Sequence, residues 1–166
     1  MTNTGNLQVT TPSDREIAMT RVFDAPRHLV FEALTRPELL QRWLLGPPGW
    51  SMPVCEVDLK VGGAYRYVWR SDDGGREFGS HGVFREVLPP ERFVATEKMD
   101  GFEGESLVTN SLAEQGGRTT LTLTMRFDSQ EARDGALKSG MEKGVAISYD
   151  RLDEVLASMP AQEVRQ

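Results

Sequence analysis

Cysteine, histidine and positive charge are all scarce in this chain. One Cys, Cys55, permits no internal disulfide, and two His beside it offer few soft donors for a structural zinc site. No metal and no cofactor is expected. No apolar run approaches the ~20 residues that a membrane-spanning helix needs. The opening stretch, MTNTGNLQVTTPSD, holds no apolar segment able to act as a secretory signal, so a cytoplasmic location is expected. Nineteen Lys and Arg stand against twenty-five Asp and Glu, a net charge of −6. That balance disfavours nucleic acid and anionic membranes as partners, because both reward dense Lys and Arg. Catalytic signatures are missing too: there is no G-x-S-x-G elbow, P-loop, G-x-G-x-x-G, H-E-x-x-H or C-x-x-C. Cys55 lies between Val54 and Glu56 with no adjacent cation to lower its pKa, which marks an inert packing residue.

What is present suffices for one domain. The chain has 166 residues, 39% hydrophobic and 27% charged, and a domain of this length hides roughly 70% of its unfolded surface without staples. Residues 1–13, rich in Thr and Asn, and residues 160–166 read as loose tails around a single domain over 14–159. Residues 14–23 alternate as a strand does. Asp24 before Ala25-Pro26 signals a helix start, and residues 26–34 put Leu29, Val30, Ala33 and Leu34 on one helical face. Thr35 with Glu38 resembles a capping box opening a second short helix over 37–44, which Gly46-Pro47-Pro48-Gly49 ends. Six strands are expected over 52–59, 64–70, 77–88, 93–98, 104–112 and 119–127, divided by turns such as Asp72-Asp73-Gly74-Gly75.

After Ser129, a capping candidate, no Pro interrupts the chain up to Met159. Leu137, Met141, Val145, Ser148, Leu152, Val155 and Met159 recur at spacings of three and four, a single apolar stripe. Gly135, Gly140 and Gly144 break its first half, so residues 130–138 can form a separate helix. The order predicts an α+β fold. A curved antiparallel sheet of six to seven strands wraps a long C-terminal helix, with two short helices after the first strand.

Several residues could carry function. Tyr65, Tyr67 and Trp69 recur at spacing two: either they fill the core or they line a small-molecule cavity. His81, mid-strand, shares its parity with Glu77 and has Glu97 on a nearby strand. It is either an ordinary hydrogen-bonded residue or, if the three converge, an acid–base group. Gly140 and Gly144 each cost about 0.8–1 kcal/mol against Ala inside a helix. Close packing on the sheet, room for a ligand, or a helix break would each account for them.

Motifs in order now become informative. They begin with Arg21-Val22-Phe23-Asp24-Ala25-Pro26, Val30-Phe31-Glu32-Ala33-Leu34-Thr35-Arg36-Pro37-Glu38, Arg42-Trp43 and Gly46-Pro47. Asp58-Leu59-Lys60-Val61-Gly62-Gly63, Gly82-Val83-Phe84-Arg85-Glu86-Val87 and Pro90-Glu91-Arg92 come next. Ser139-Gly140-Met141 and Ser148-Tyr149-Asp150-Arg151-Leu152 complete the set. Over residues 14–159 the chain resembles the START-like (SRPBCC) helix-grip superfamily, in the branch related to the C-terminal domain of the activator of heat shock protein 90 ATPase.

The resemblance implies a cavity between sheet and C-terminal helix that holds a hydrophobic, lipid-like or polyketide-like ligand. Trp43, Trp50, Tyr65, Tyr67 and Trp69 are the expected aromatic lining. His81, Met141, Val145 and Ser148 complete it, with His81 and Ser148 as polar contacts. A binding protein without catalytic residues is the leading expectation. An enzyme of cyclase, dehydratase or hydrolase type in the same cavity, using His81 with Glu77 or Glu97, is the first alternative. A chaperone-activating or regulatory module is the second, with a chaperone the less favoured partner. Homodimerisation fits any of them.

Overall fold

The computed structural model describes residues 7–159. The chain forms eight strands and four helices in the order β1 (Gln8–Thr10), β2 (Glu16–Phe23), α1 (Arg27–Thr35), α2 (Pro37–Trp43), β3 (Trp50–Val57), β4 (Ala64–Ser71), β5 (Glu77–Leu88), β6 (Arg92–Met99), β7 (Ser106–Gln115), β8 (Arg118–Arg126), α3 (Gln130–Lys138) and α4 (Met141–Ser158). All strands join one antiparallel sheet in the order β1-β2-β8-β7-β6-β5-β4-β3. After β2 the chain crosses through α1 and α2 to the far edge and returns strand by strand, so β8 closes against β2.

The period-two pattern dictates which face of each strand is buried. In β8, Leu121 and Met125 are buried while Thr122 and Thr124 keep partial exposure. Residues 8–10, expected as part of a loose tail, instead pair with β2 in the register Gln8↔Thr20 and Thr10↔Ala18. The strand count is therefore eight rather than six to seven. A three-residue strand is too short to show alternation, which is why sequence periodicity missed it. Residues 1–6 and 160–166 of the expected tails lie outside the described residues.

Helix ends bear out one expectation and correct another. α1 begins directly after Ala25-Pro26, with Pro26 as its N-cap and no side-chain cap. No capping box forms at Thr35: its hydroxyl donates back to the Phe31 carbonyl (2.8 Å) and closes α1. Glu38 instead pairs with Arg36, which also reaches Glu32 (3.0 Å). Ser129 does cap α3, accepting from the Ala132 N–H at 3.1 Å. Gly140 then adopts φ +78°, a left-handed conformation that glycine takes at low cost, and separates α3 from α4.

Phe23, Val30, Leu40, Leu121 and Leu152 form the main core between the sheet, α1, α2 and α4. A smaller cluster of Ile17, Met19 and Met125 packs against Leu137 and Met141. Arg21, 2% exposed, spans from β2 to α4 and reaches Asp150 (3.0 Å) and Asp153 (3.4 Å). It fixes the second half of α4 against the sheet.

Candidate functional site

Where the first half of α4 crosses the sheet, the interior stays open. A cavity of about 730 Å³ lies between α4, the segment 44–50 and the inner faces of β4 to β8, within the range of small-molecule sites. Its rim holds the exposed residues Pro47, Pro48, Arg76 and Phe78. Its depth is closed by buried Tyr65, Phe84, Phe93 and Tyr149.

Alternation along β4 aims Tyr65, Tyr67 and Trp69 at this space, and their rings form a continuous series. Tyr65 and Tyr67 have centroids 4.9 Å apart, and Tyr67 meets Trp69 edge-on at 5.8 Å. Trp69 stacks on Phe78 at 5.1 Å, and Phe78 meets Trp50 at 5.4 Å. These are favourable aromatic separations. The series runs from the core to the rim.

The polar tips of the two innermost rings differ. The Tyr65 hydroxyl donates to the Thr96 carbonyl at 2.8 Å, whereas the Tyr67 hydroxyl has no hydrogen-bond partner among the described residues. Burial pushes both phenols well above the ordinary tyrosine range.

Three side chains hold the segment 44–49 over the cavity by hydrogen bonds. Trp69 Nε1 donates to the Leu44 carbonyl (2.7 Å), the Gly46 N–H donates to Ser148 Oγ (2.9 Å), and Arg151 donates to the Gly46 carbonyl (2.7 Å). Trp43 is anchored below it, its indole N–H donating to the Ala33 carbonyl at 2.8 Å.

All of the expected ligand-lining residues border the cavity except His81: Trp43, Trp50, Tyr65, Tyr67, Trp69, Met141, Val145 and Ser148 do so. His81 pairs opposite Arg66 and points to the outer face, because the inward parity of β5 belongs to Phe78, Ser80, Gly82 and Phe84. There it meets Asp100 (3.2 Å), which also takes a two-point contact from Arg66 at 3.0 and 2.7 Å. Arg66, and after it His81, hold the Asp100 carboxyl below its usual range.

Glu77 shares the outer face and pairs with Arg70 at 2.9 Å. Glu97 points inward. The acid–base trio therefore does not converge: two members lie on one side of the sheet and the third on the other.

Glu97 sits on the cavity wall. Its surroundings push its pKa up by disfavouring the charge, and a hydrogen bond from the Ser106 hydroxyl opposes that shift. No cation among the described residues is ion-paired with it. Asn110, which is buried, lines the same wall.

The sequence reading passed over Phe78, Phe84, Phe93, Asn110 and Tyr149. Even spacing links Phe78 and Phe84, but only strand pairing shows that this parity faces Tyr65 and Trp69. Tyr149 follows Ser148 directly, on the flank of the helical stripe.

The glycines resolve differently. Gly140 is the helix break, while Gly144 lines the cavity, and a Cβ there would meet nothing within 4 Å. Cys55 is partly buried, and burial pushes its thiol up to about 11. Among the described residues no cluster of His, Cys, Asp and Glu could hold a metal, and no helix is long and apolar enough to cross a membrane.

An antiparallel sheet curved around a C-terminal helix, with a cavity held between them, defines a helix-grip protein of the START-like (SRPBCC) class. Within it, the chain belongs to the family of activator of Hsp90 ATPase homolog 1-like proteins, whose model matches residues 24–157. The chain is similar to a protein of known crystal structure from Rhodobacter sphaeroides. They share 33% identity over 92% of this chain and 99% of that one, with a TM-score of 0.87. It is also similar to a Chromobacterium violaceum protein, at 26% identity over 87% and 98% of the two chains, with a TM-score of 0.77. An Hsp90 activator from Plasmodium falciparum is more distant. It shows 25% identity over 68% of this chain and 72% of its own, with a TM-score of 0.52. No curated protein matches the chain.

Proposed function

We propose that the protein binds a small, flat, largely apolar molecule in the cavity between its sheet and α4. The observation that carries this reading is the aromatic series from Tyr65 to Trp50 along one wall of a cavity of about 730 Å³. A filled core would use such rings to close space; here they border it. Large rings supply apolar contact area at low cost in side-chain entropy, which suits a planar ligand. Native mass spectrometry of the purified protein, with a thermal-shift panel of aromatic and lipid-like compounds, tests the reading. A bound mass or a dose-dependent rise in Tm supports it. Failure of every compound to do either, at concentrations up to solubility, overturns it.

A second reading has one observation in its favour, the similarity to the Plasmodium falciparum Hsp90 activator. It requires this chain to raise the ATPase rate of an Hsp90-type chaperone. A coupled ATPase assay with a bacterial homologue decides it, and an unchanged rate at saturating protein removes it.

A further inference from the structure

Resting on the ligand-binding reading, we infer that Glu97 and the rings of Tyr65 and Tyr67 form a subsite for the protonated amino group of an aromatic ligand. Among the described residues Glu97 is the one carboxylate on the cavity wall, and the guanidinium there, Arg76, is held at the rim over Trp50 at 5.1 Å. A carboxylate accepts at about four lone-pair positions, of which the Ser106 hydroxyl occupies one. No cation from the described residues pairs with the carboxylate, and a ligand cation would favour the charged form that burial disfavours.

Glu97 stands close enough to both phenols for its charge to act on each. The two rings, 4.9 Å apart, offer negative faces to a cation beside that carboxylate. Tyr67 Oη, without a partner among the described residues, can accept one ammonium N–H. Nearby, the Ser80 hydroxyl is buried and likewise unpartnered, so this part of the wall is polar beneath its rings. A ligand anion would meet Glu97 with like charge. A neutral ligand would leave the carboxyl unpaired.

Three probes of the same shape test the subsite: 2-naphthylmethylamine, 2-naphthalenemethanol and 2-naphthoate, each titrated calorimetrically into the full chain. The amine is expected to bind at least about tenfold tighter than the alcohol, and the carboxylate weakest. Glu97→Gln should abolish the amine preference, bringing amine and alcohol within about twofold of each other. In the unaltered protein, amine affinity should fall as the pH is lowered and Glu97 takes up its proton, beginning above the ordinary carboxylate range, while alcohol affinity stays constant. Tyr65 and Tyr67 on β4, which face Glu97, keep their protons throughout, and Ser106 on β7 does not titrate.

Equal or tighter binding of the alcohol, or an amine preference that survives in Glu97→Gln, overturns the amine subsite and leaves the cavity reading standing. Should Glu97→Gln not fold, the wild-type pH series decides alone: an amine affinity independent of pH overturns the subsite. Absence of binding by all three probes counts against the cavity reading itself, and the subsite falls with it.

Discussion

Glu97 keeps its proton to a higher pH in the folded chain than in the unfolded one, because burial penalises the charge more than Ser106 relieves it. Between the ordinary value of 4.5 and the raised folded value, the native state holds more protons. Stability is therefore fully present below that window and is lost as pH rises through it. Glu97→Gln removes the effect. Thermal melts should give the variant a higher Tm than wild type at about pH 8 and nearly the same Tm below about pH 4; an equal offset at both would refute the assignment. Cys55 allows a second test at this scale. With its thiol pushed up to about 11 by burial, it should react with iodoacetamide at about pH 8 on the order of a hundredfold more slowly than free cysteine. A rate matching the free thiol would show that its surroundings are not apolar.

Two glycines on one stretch of chain have opposite requirements. Gly140 adopts φ +78° at the junction of α3 and α4, so Gly140→Ala should cost about 1 kcal/mol or more in chemical denaturation. Gly144 lies in regular helix with open space beside it, so Gly144→Ala should stabilise by up to about 1 kcal/mol. Gly144→Leu should fold and lose ligand binding, and retention of binding would place the ligand elsewhere. Arg21 gives an element-scale test of another kind. Its guanidinium joins β2 to Asp150 and Asp153 on α4, and Arg21→Ala should cost about 1–3 kcal/mol in chemical denaturation, since it opens a void at a buried position and removes the ion pairs that tie α4 to β2.

The element order is legible in the sequence because each change of hydrophobic period is wide enough to read, and Asp72-Asp73-Gly74-Gly75 and Ser129 mark their boundaries. The three residues of β1 are too few for a period. The inward parity of β5 depends on which strand lies opposite, so His81 and Phe84 look equally eligible until the register Tyr65↔Gly82 decides between them.

For the molecule as a whole, a ligand in the cavity would be linked to the fold. A ligand at a hundred times its Kd adds about 2.7 kcal/mol to stability, a rise of roughly 5–10 °C in Tm for a domain of this size. Gly144→Leu should show no such rise under the same conditions; an undiminished shift would separate the stabilisation from the cavity. The family likeness was readable from ordered motifs, but the ligand chemistry was not. Glu97 becomes informative only once its inward side of the sheet, and the absence of an ion-paired cation among the described residues, are known. The chain has three tryptophans, and Trp43, Trp50 and Trp69 all border the same cavity. A ligand filling that space would change the polarity around every indole at once. The intrinsic emission of the unlabelled protein would then serve as an occupancy gauge, from which stopped-flow mixing would read arrival and departure rates.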